Sequence, residues 1–386
     1  MRWESLQLYP DEPDEPARVE AGQDGQDGSP CGRAARASAP ALFERGAVTR
    51  SFDTPAFRGL TFYEIQARSI INRVPEASRV PFRWTINPYR GCSHGCSYCF
   101  ARNTHKYLDL DSGHDFDSKI VVKVNAPELV RKELAARKWQ GEHIAMGTNV
   151  DVYQRAEGRY RLMPGILAAL RDAANPFSIL TKGTLILRDL ALLEQAAEVT
   201  EVGLNVSVGS VDKELWRSIE PGTPAPDRRL GVCATLTEHG LRCGVLMGPV
   251  VPFLSDSPAQ LEATVREIAA AGATHVTPIV LHLRPGAREW FYRWLGENHP
   301  SLMAPYRALY RSGAYAPRRY QQEIADQVSE LARKHGVGRA GPGQARAAGR
   351  GREPGPVAAG DPDPAVAAAA APSARRAGAD VQLSLL

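Results

Sequence analysis

Three of the six cysteines in this chain fall within eight residues, as Cys92, Cys96 and Cys99 in the run Asn87-Pro88-Tyr89-Arg90-Gly91-Cys92-Ser93-His94-Gly95-Cys96-Ser97-Tyr98-Cys99-Phe100. Thiols this close together in a reducing compartment bind metal rather than pair as disulfides. With Cys-x-x-x-Cys-x-x-Cys spacing, each thiolate can take one iron of a cubane cluster. The fourth iron is then left without a protein ligand, and an open coordination position is what a reactive metal centre requires. Gly91 and Gly95 let such a loop wrap closely, because glycine adopts backbone angles that other residues avoid. A structural zinc site with His94 or His105 as fourth ligand is the alternative, although zinc spacings usually come as two paired half-sites and no second Cys/His pair lies nearby. Cys31 lies in a polar leader, and Cys233 and Cys243 lie far downstream in apolar stretches, so all three are read as bystanders.

A chain of 386 residues, 43% hydrophobic and 23% charged, has room for one large core with flexible attachments. No segment is apolar for long enough to span a bilayer, and the first residues lack a secretory pattern; a cytoplasmic, non-membrane protein is expected. Residues 1–44 are rich in Pro, Gly, Asp and Ala, and residues 338–386 hold no aromatic residue. Both are expected to be disordered for want of anything to bury. The folded unit is therefore placed at 45–337. The net charge of +4 leaves this body mildly basic, which permits nucleic-acid binding without demonstrating it.

Within the body, short apolar runs alternate with amphipathic segments, the pattern of repeated βα units around a parallel sheet. Strands are expected at 83–87, 143–146, 177–180, 202–208, 242–247 and 275–281. Helices are expected from Asn125, with Pro127 in the first turn, and at 163–174, 188–198, 226–239 and 257–271. Six strands suggest a partial (β/α)6 barrel with C-terminal helices, whose chemistry would lie at the C-terminal strand ends. A doubly wound sheet reads much the same by periodicity. Pro249 and Pro252 are expected to end the fifth strand and begin a loop rim.

The cysteine run and its flanks resemble the radical S-adenosylmethionine (SAM) superfamily, in particular its spore-photoproduct-lyase-like branch, described as DNA repair photolyase-related. The likeness extends over about residues 57–335. It implies a 4Fe–4S cluster on Cys92, Cys96 and Cys99, with SAM binding the open iron through its amino and carboxylate groups. Electron entry from a donor such as flavodoxin or ferredoxin then yields a 5′-deoxyadenosyl radical that abstracts hydrogen from the substrate. By the same resemblance Tyr98 and Phe100 pack near cluster and adenine, Asn149 and Asp151 hold the amino group and ribose of SAM, Lys182 meets its carboxylate and Ser207 contacts it. Glu220-Pro221-Gly222-Thr223 and Arg228 or Arg229 shape the mouth. One departure stands out: the lyases carry a hydrogen-donor cysteine just after the second strand, where this chain has Met146-Gly147-Thr148. Cys243 or Tyr153 is the candidate replacement.

The chain ends Val381-Gln382-Leu383-Ser384-Leu385-Leu386. This resembles the peptide by which bacterial repair proteins dock on the sliding clamp, with Gln382 setting register and Leu383, Leu385 and Leu386 filling apolar pockets. Three functions are thus in view: a lyase-like radical SAM enzyme acting on a DNA lesion or modified nucleobase, one modifying a protein or small molecule, and a non-catalytic zinc or Fe–S adaptor on DNA.

Overall fold

The computed structural model describes residues 46–75 and 80–338. The acidic leader, Cys31 and the terminal peptide with Gln382, Leu383, Leu385 and Leu386 lie outside the described residues. In chain order the strands are β1 (Val48–Ser51), β2 (Thr61–Ile65), β3 (Ile71–Arg73), β4 (Trp84–Ile86), β5 (Tyr89–Arg90), β6 (Lys119–Lys123), β7 (Ile144–Met146), β8 (Phe177–Thr181), β9 (Val202–Ser207), β10 (Cys243–Val250) and β11 (Val276–Val280). The helices are α1 (His114–Ser118), α2 (Ala126–Leu134), α3 (Arg155–Tyr160), α4 (Leu162–Asp172), α5 (Leu190–Val199), α6 (Lys213–Ile219), α7 (Pro226–Glu238), α8 (Pro258–Ala270), α9 (Ala287–Asn298), α10 (Met303–Leu309) and α11 (Arg318–Lys334).

Six strands, β4, β7, β8, β9, β10 and β11, run parallel, each beside the next in the chain. Antiparallel β3 extends the β4 edge, and the other edge is β11, so the sheet is an open partial barrel. The two faces differ in a way that separates this architecture from a doubly wound sheet, which is covered on both sides. On the convex face Phe177, Ile179, Leu204, Val206, Val245 and Met247 are fully buried in the main core, which they share with α4, α5, α7, α8 and α11. The concave face carries mostly small or polar residues: Thr85, Ala145, Ser178 and Gly203 lie in register across β4, β7, β8 and β9, and Asn205 and Gly244 across β9 and β10, with Leu180 beside Asn205 the apolar exception. A closed barrel fills its interior with bulky branched side chains. This face instead leaves a lumen.

Pro249 corrects one expectation. Strand β10 continues through it to Val250, because a register irregularity between Met247 and Val250 removes the need for a ladder hydrogen bond at the proline. The helix expected at 188–198 is also divided, into a 3-10 turn Thr184–Asp189 followed by α5. A second sheet, β1-β2-β6-β5, was not foreseen; β2 and β6 pair in parallel and β5 joins antiparallel. It matters for function because β5 leads directly into Cys92. No helix among the described residues is long and apolar enough to cross a membrane.

Candidate active site

The cysteine loop runs from β5 to a 3-10 helix at Phe100–Leu108 and is held on every side by named bonds. Gly91 sits at φ +83°, where a Cβ would lie 2.9 Å from both His105 Cε1 and the Lys119 carbonyl, so only glycine lets the loop lie this close to β6. Gln154, fully buried, donates from Nε2 to the Gly91 carbonyl (2.9 Å) and accepts from the Ser93 N–H (2.9 Å). Arg102, also fully buried, donates to the Cys96 carbonyl through Nε (3.1 Å) and Nη2 (2.9 Å), and to Asp117 Oδ2 at 2.9 Å. Its guanidinium lies between the rings of Phe116 and Trp290. The Ser97 N–H donates to the Ile219 carbonyl (3.0 Å), tying the loop to the end of α6.

The three thiols fit a metal cluster by their chemistry. Burial pushes the Cys96 thiol up to about 12 and raises Cys92 and Cys99 as well, with neighbouring thiols adding to the effect on Cys92 and Cys96. Lys182 and Arg229 pull Cys96 the other way, as Arg102 and Lys182 do Cys99. Without metal the loop therefore holds neutral thiols; binding cationic iron requires their deprotonation, with cations already placed to balance the anionic thiolates. Among the described residues no three His, Cys, Asp or Glu side chains converge as ligands of a single ion. Thiolates that each bind a different iron of a cubane have no need to. His105 is engaged elsewhere, its Nε2 lying 2.9 Å from the Lys119 carbonyl, and His94 Nδ1 faces Asp151 at 3.4 Å.

The structure brings four of the six expected SAM-contact residues into one connected group. Lys182 Nζ donates to Ser207 Oγ (2.9 Å) and stands 5.8 Å from the centre of the Tyr98 ring. Ser207 in turn donates to the Gly248 carbonyl (3.0 Å). Asp151 accepts from the Tyr153 N–H (2.9 Å) and Thr181 Oγ1 (2.6 Å) on one oxygen and from the Lys182 N–H (2.6 Å) on the other. With His94 beside it, this carboxylate is occupied in joining the cysteine loop to the end of β8. It anchors the backbone of Lys182. Below them Tyr98 donates its hydroxyl to Glu220, which also pairs with the fully buried Arg229. Burial alone would raise the Glu220 carboxyl, but Arg229 and Lys182 hold it below its ordinary value.

Asn149 and Phe100 fall in a separate place, a cavity of about 320 Å³ at the mouth of the lumen. Its walls include Tyr89, Arg90, Lys123, His282 and Arg284, none of them singled out by sequence. Burial draws the Lys123 ammonium down to about 7, with nearby Arg90 adding to the effect. The candidate hydrogen donors are corrected. Cys243 is fully buried on the convex face, where Cys233 of α7 donates to its carbonyl (3.9 Å). Tyr153 is fully buried too, with its hydroxyl donating to Asp189 Oδ2 (3.1 Å). The parity of β10 turns Cys243 away from the lumen, and the bond to Asp189 holds the Tyr153 ring in the main core.

A three-cysteine loop beside a parallel, in-order partial barrel defines a class, and the chain belongs to the radical SAM superfamily, whose family model matches residues 86–275. It is 48% identical over 308 residues to an uncharacterized protein of Mycobacterium tuberculosis, covering 79% of this chain and 91% of that one. An uncharacterized protein of Methanocaldococcus jannaschii is 32% identical over 195 residues, 50% of this chain and 69% of its own. Among solved structures, spore photoproduct lyase complexed with dinucleoside spore photoproduct superposes with a TM-score of 0.55 at 15% identity, covering 74% of this chain and 83% of the other. A variant of that lyase with bound AdoMet and dinucleoside spore photoproduct gives 0.56, also at 15% identity and with the same coverage. The chain shares their fold.

Proposed function

We propose that this protein binds a 4Fe–4S cluster through Cys92, Cys96 and Cys99, cleaves SAM reductively and acts, lyase-like, on a DNA lesion or modified nucleobase. The observation that carries the reading is Lys182, held by Ser207 and the Tyr98 ring and anchored through its own N–H to Asp151, which also faces the cysteine loop. A fixed ammonium there suits the carboxylate of SAM. When bound, the cluster and SAM supply an electron and the 5′-deoxyadenosyl radical produced on homolysis. The chain's own part is to orient and to exclude water: Gln154 and Arg102 set the loop, Asp151 sets Lys182, and Tyr98 offers a face to the adenine.

Anaerobic reconstitution, reduction and addition of SAM are expected to give 5′-deoxyadenosine from the wild-type chain and none from Cys96→Ala; a fully loaded wild type that makes none would end the proposal. Nucleobase chemistry is favoured over a protein or small-molecule substrate by the cation-lined cavity and by the shared fold with a lyase solved with a dinucleoside lesion. The proposal extends to a flavodoxin or ferredoxin as electron donor and to residues 45–337 as the catalytic body. It also has the terminal peptide dock on the sliding clamp, where equal capture of clamp by wild type and Gln382→Ala would argue against it.

A further inference from the structure

Two features of the mouth bear on the state of the substrate. The first is a ladder of three rings. Phe100 follows Cys99 directly and is half-buried; its ring centre is 5.5 Å from that of His282, which is 5.5 Å from that of Tyr315. Tyr315 is 45% exposed. The ladder therefore starts at the cysteine loop and ends in solvent. It is built rather than accidental: His282 and Tyr315 form a backbone bridge, the Leu283 N–H donates to the Ala314 carbonyl (2.7 Å), and Arg284 lies over Phe100 (5.6 Å) while donating to the Tyr315 hydroxyl (3.0 Å). Burial and the nearby Arg284 lower the His282 imidazole, so that it is a neutral flat ring at neutral pH.

The second feature is the sign of the cavity. Its described walls carry four Lys or Arg side chains, Arg90 and Lys123 among them, and no Asp or Glu. At about 320 Å³ it has room for one nucleotide and none for a stacked duplex. Cations alone would suit any anion, an acidic peptide included. Flat rings leading outward from the same cavity suit bases, since every base has a face to stack.

We propose that Phe100, His282 and Tyr315, with Arg284 beside them and Arg90 and Lys123 across the cavity, form a single-strand track. The track stacks the bases of an unpaired nucleic-acid segment and delivers one nucleotide to the mouth of the lumen, its phosphate toward Arg90 and Lys123. This rests on the nucleobase reading above and adds the state of the substrate: single-stranded or extruded from its duplex.

The test is fluorescence anisotropy of the reconstituted full-length protein with a labelled oligothymidine of about 12 nucleotides, as a strand and in duplex with its complement. All variants are compared with wild type at matched iron content. The strand is expected to bind at least about tenfold tighter than the duplex. Tyr315→Ala should weaken strand binding about tenfold, and Tyr315→Phe should restore it, as stacking requires. Arg90→Met should reduce the slope of log K against log salt by about 0.7, the value for one phosphate contact on a single strand. Duplex binding equal to strand binding, a Tyr315→Ala protein with wild-type affinity, or displacement of the strand by polyglutamate of equal charge would each overturn the track. Measuring 5′-deoxyadenosine in the same samples separates the two proposals. Its formation without strand binding removes the track and leaves the radical chemistry, whereas its absence with the strand bound does the reverse.

Discussion

At the scale of single residues, the site depends on a few buried polar side chains that bond to backbone. Gln154 is the clearest, since one carboxamide satisfies both a carbonyl and an N–H of the cysteine loop. Replacing it with leucine strands both groups in the interior at about 1–3 kcal/mol each. Gln154→Leu is therefore expected to lose about 2–6 kcal/mol in urea unfolding and to take up less iron per chain on reconstitution, and unchanged values in both would show that the loop holds itself. This role was not legible in the sequence. The partners of Gln154 lie 61 and 63 residues away, and nothing local marks one glutamine as a clamp. The cysteines were legible because one short loop carries all three. Lys182 and Ser207 were legible as strand-end residues, but their direct bond depends on β8 and β9 being neighbours.

Among the elements, the parallel strands came through well because each βα unit is local. β7, β8 and β9 lie within a residue or two of their expected bounds, and α2 opens after Asn125 with Pro127 in its first turn, as expected. The second sheet was hidden for the opposite reason. Its strands are two to five residues long, and Thr61 pairs with Lys119 across a long stretch of chain, so no periodic window contains the pair. The entry to β7 carries a pH liability that burial makes calculable. His143 precedes the strand, and burial lowers its imidazole to about 4 from an ordinary 6.5. The unfolded chain therefore binds a proton between these values that the folded chain refuses, and stability falls as pH drops from about 6.5 toward 4. At pH 4.5 this single group costs about 2.5 kcal/mol relative to neutral pH. His143→Leu should remove that amount from the pH 7 to 4.5 loss of unfolding free energy measured in urea; a variant as acid-sensitive as wild type would assign the loss to other groups.

Over the whole molecule, an open barrel must stabilise an edge that a closed one would not have. Strand β11 is hydrogen-bonded on one side only, to β10, and α11 packs against it and against α8. The contact is apolar, through fully buried Ile324, Val328 and Ala332. Lys334 and Glu262 pair at 2.6 Å beside it, but Lys334 is exposed and Glu262 half-exposed, and such surface pairs contribute little. If α11 is an integral wall of the barrel, weakening it must weaken the cysteine loop at the other edge of the sheet, because the main core is continuous from Ile86 and Cys92 to Val328. Ile324→Ala with Val328→Ala removes about 5 kcal/mol of packing. That is a large share of the 5–15 kcal/mol by which a domain is ordinarily stable. The expected result is a single transition at a much lower urea concentration, with far-UV dichroism and tryptophan fluorescence moving together. A helical signal that melts early while fluorescence keeps its wild-type midpoint would instead make α11 an attachment and leave β11 to be stabilised by β10 alone.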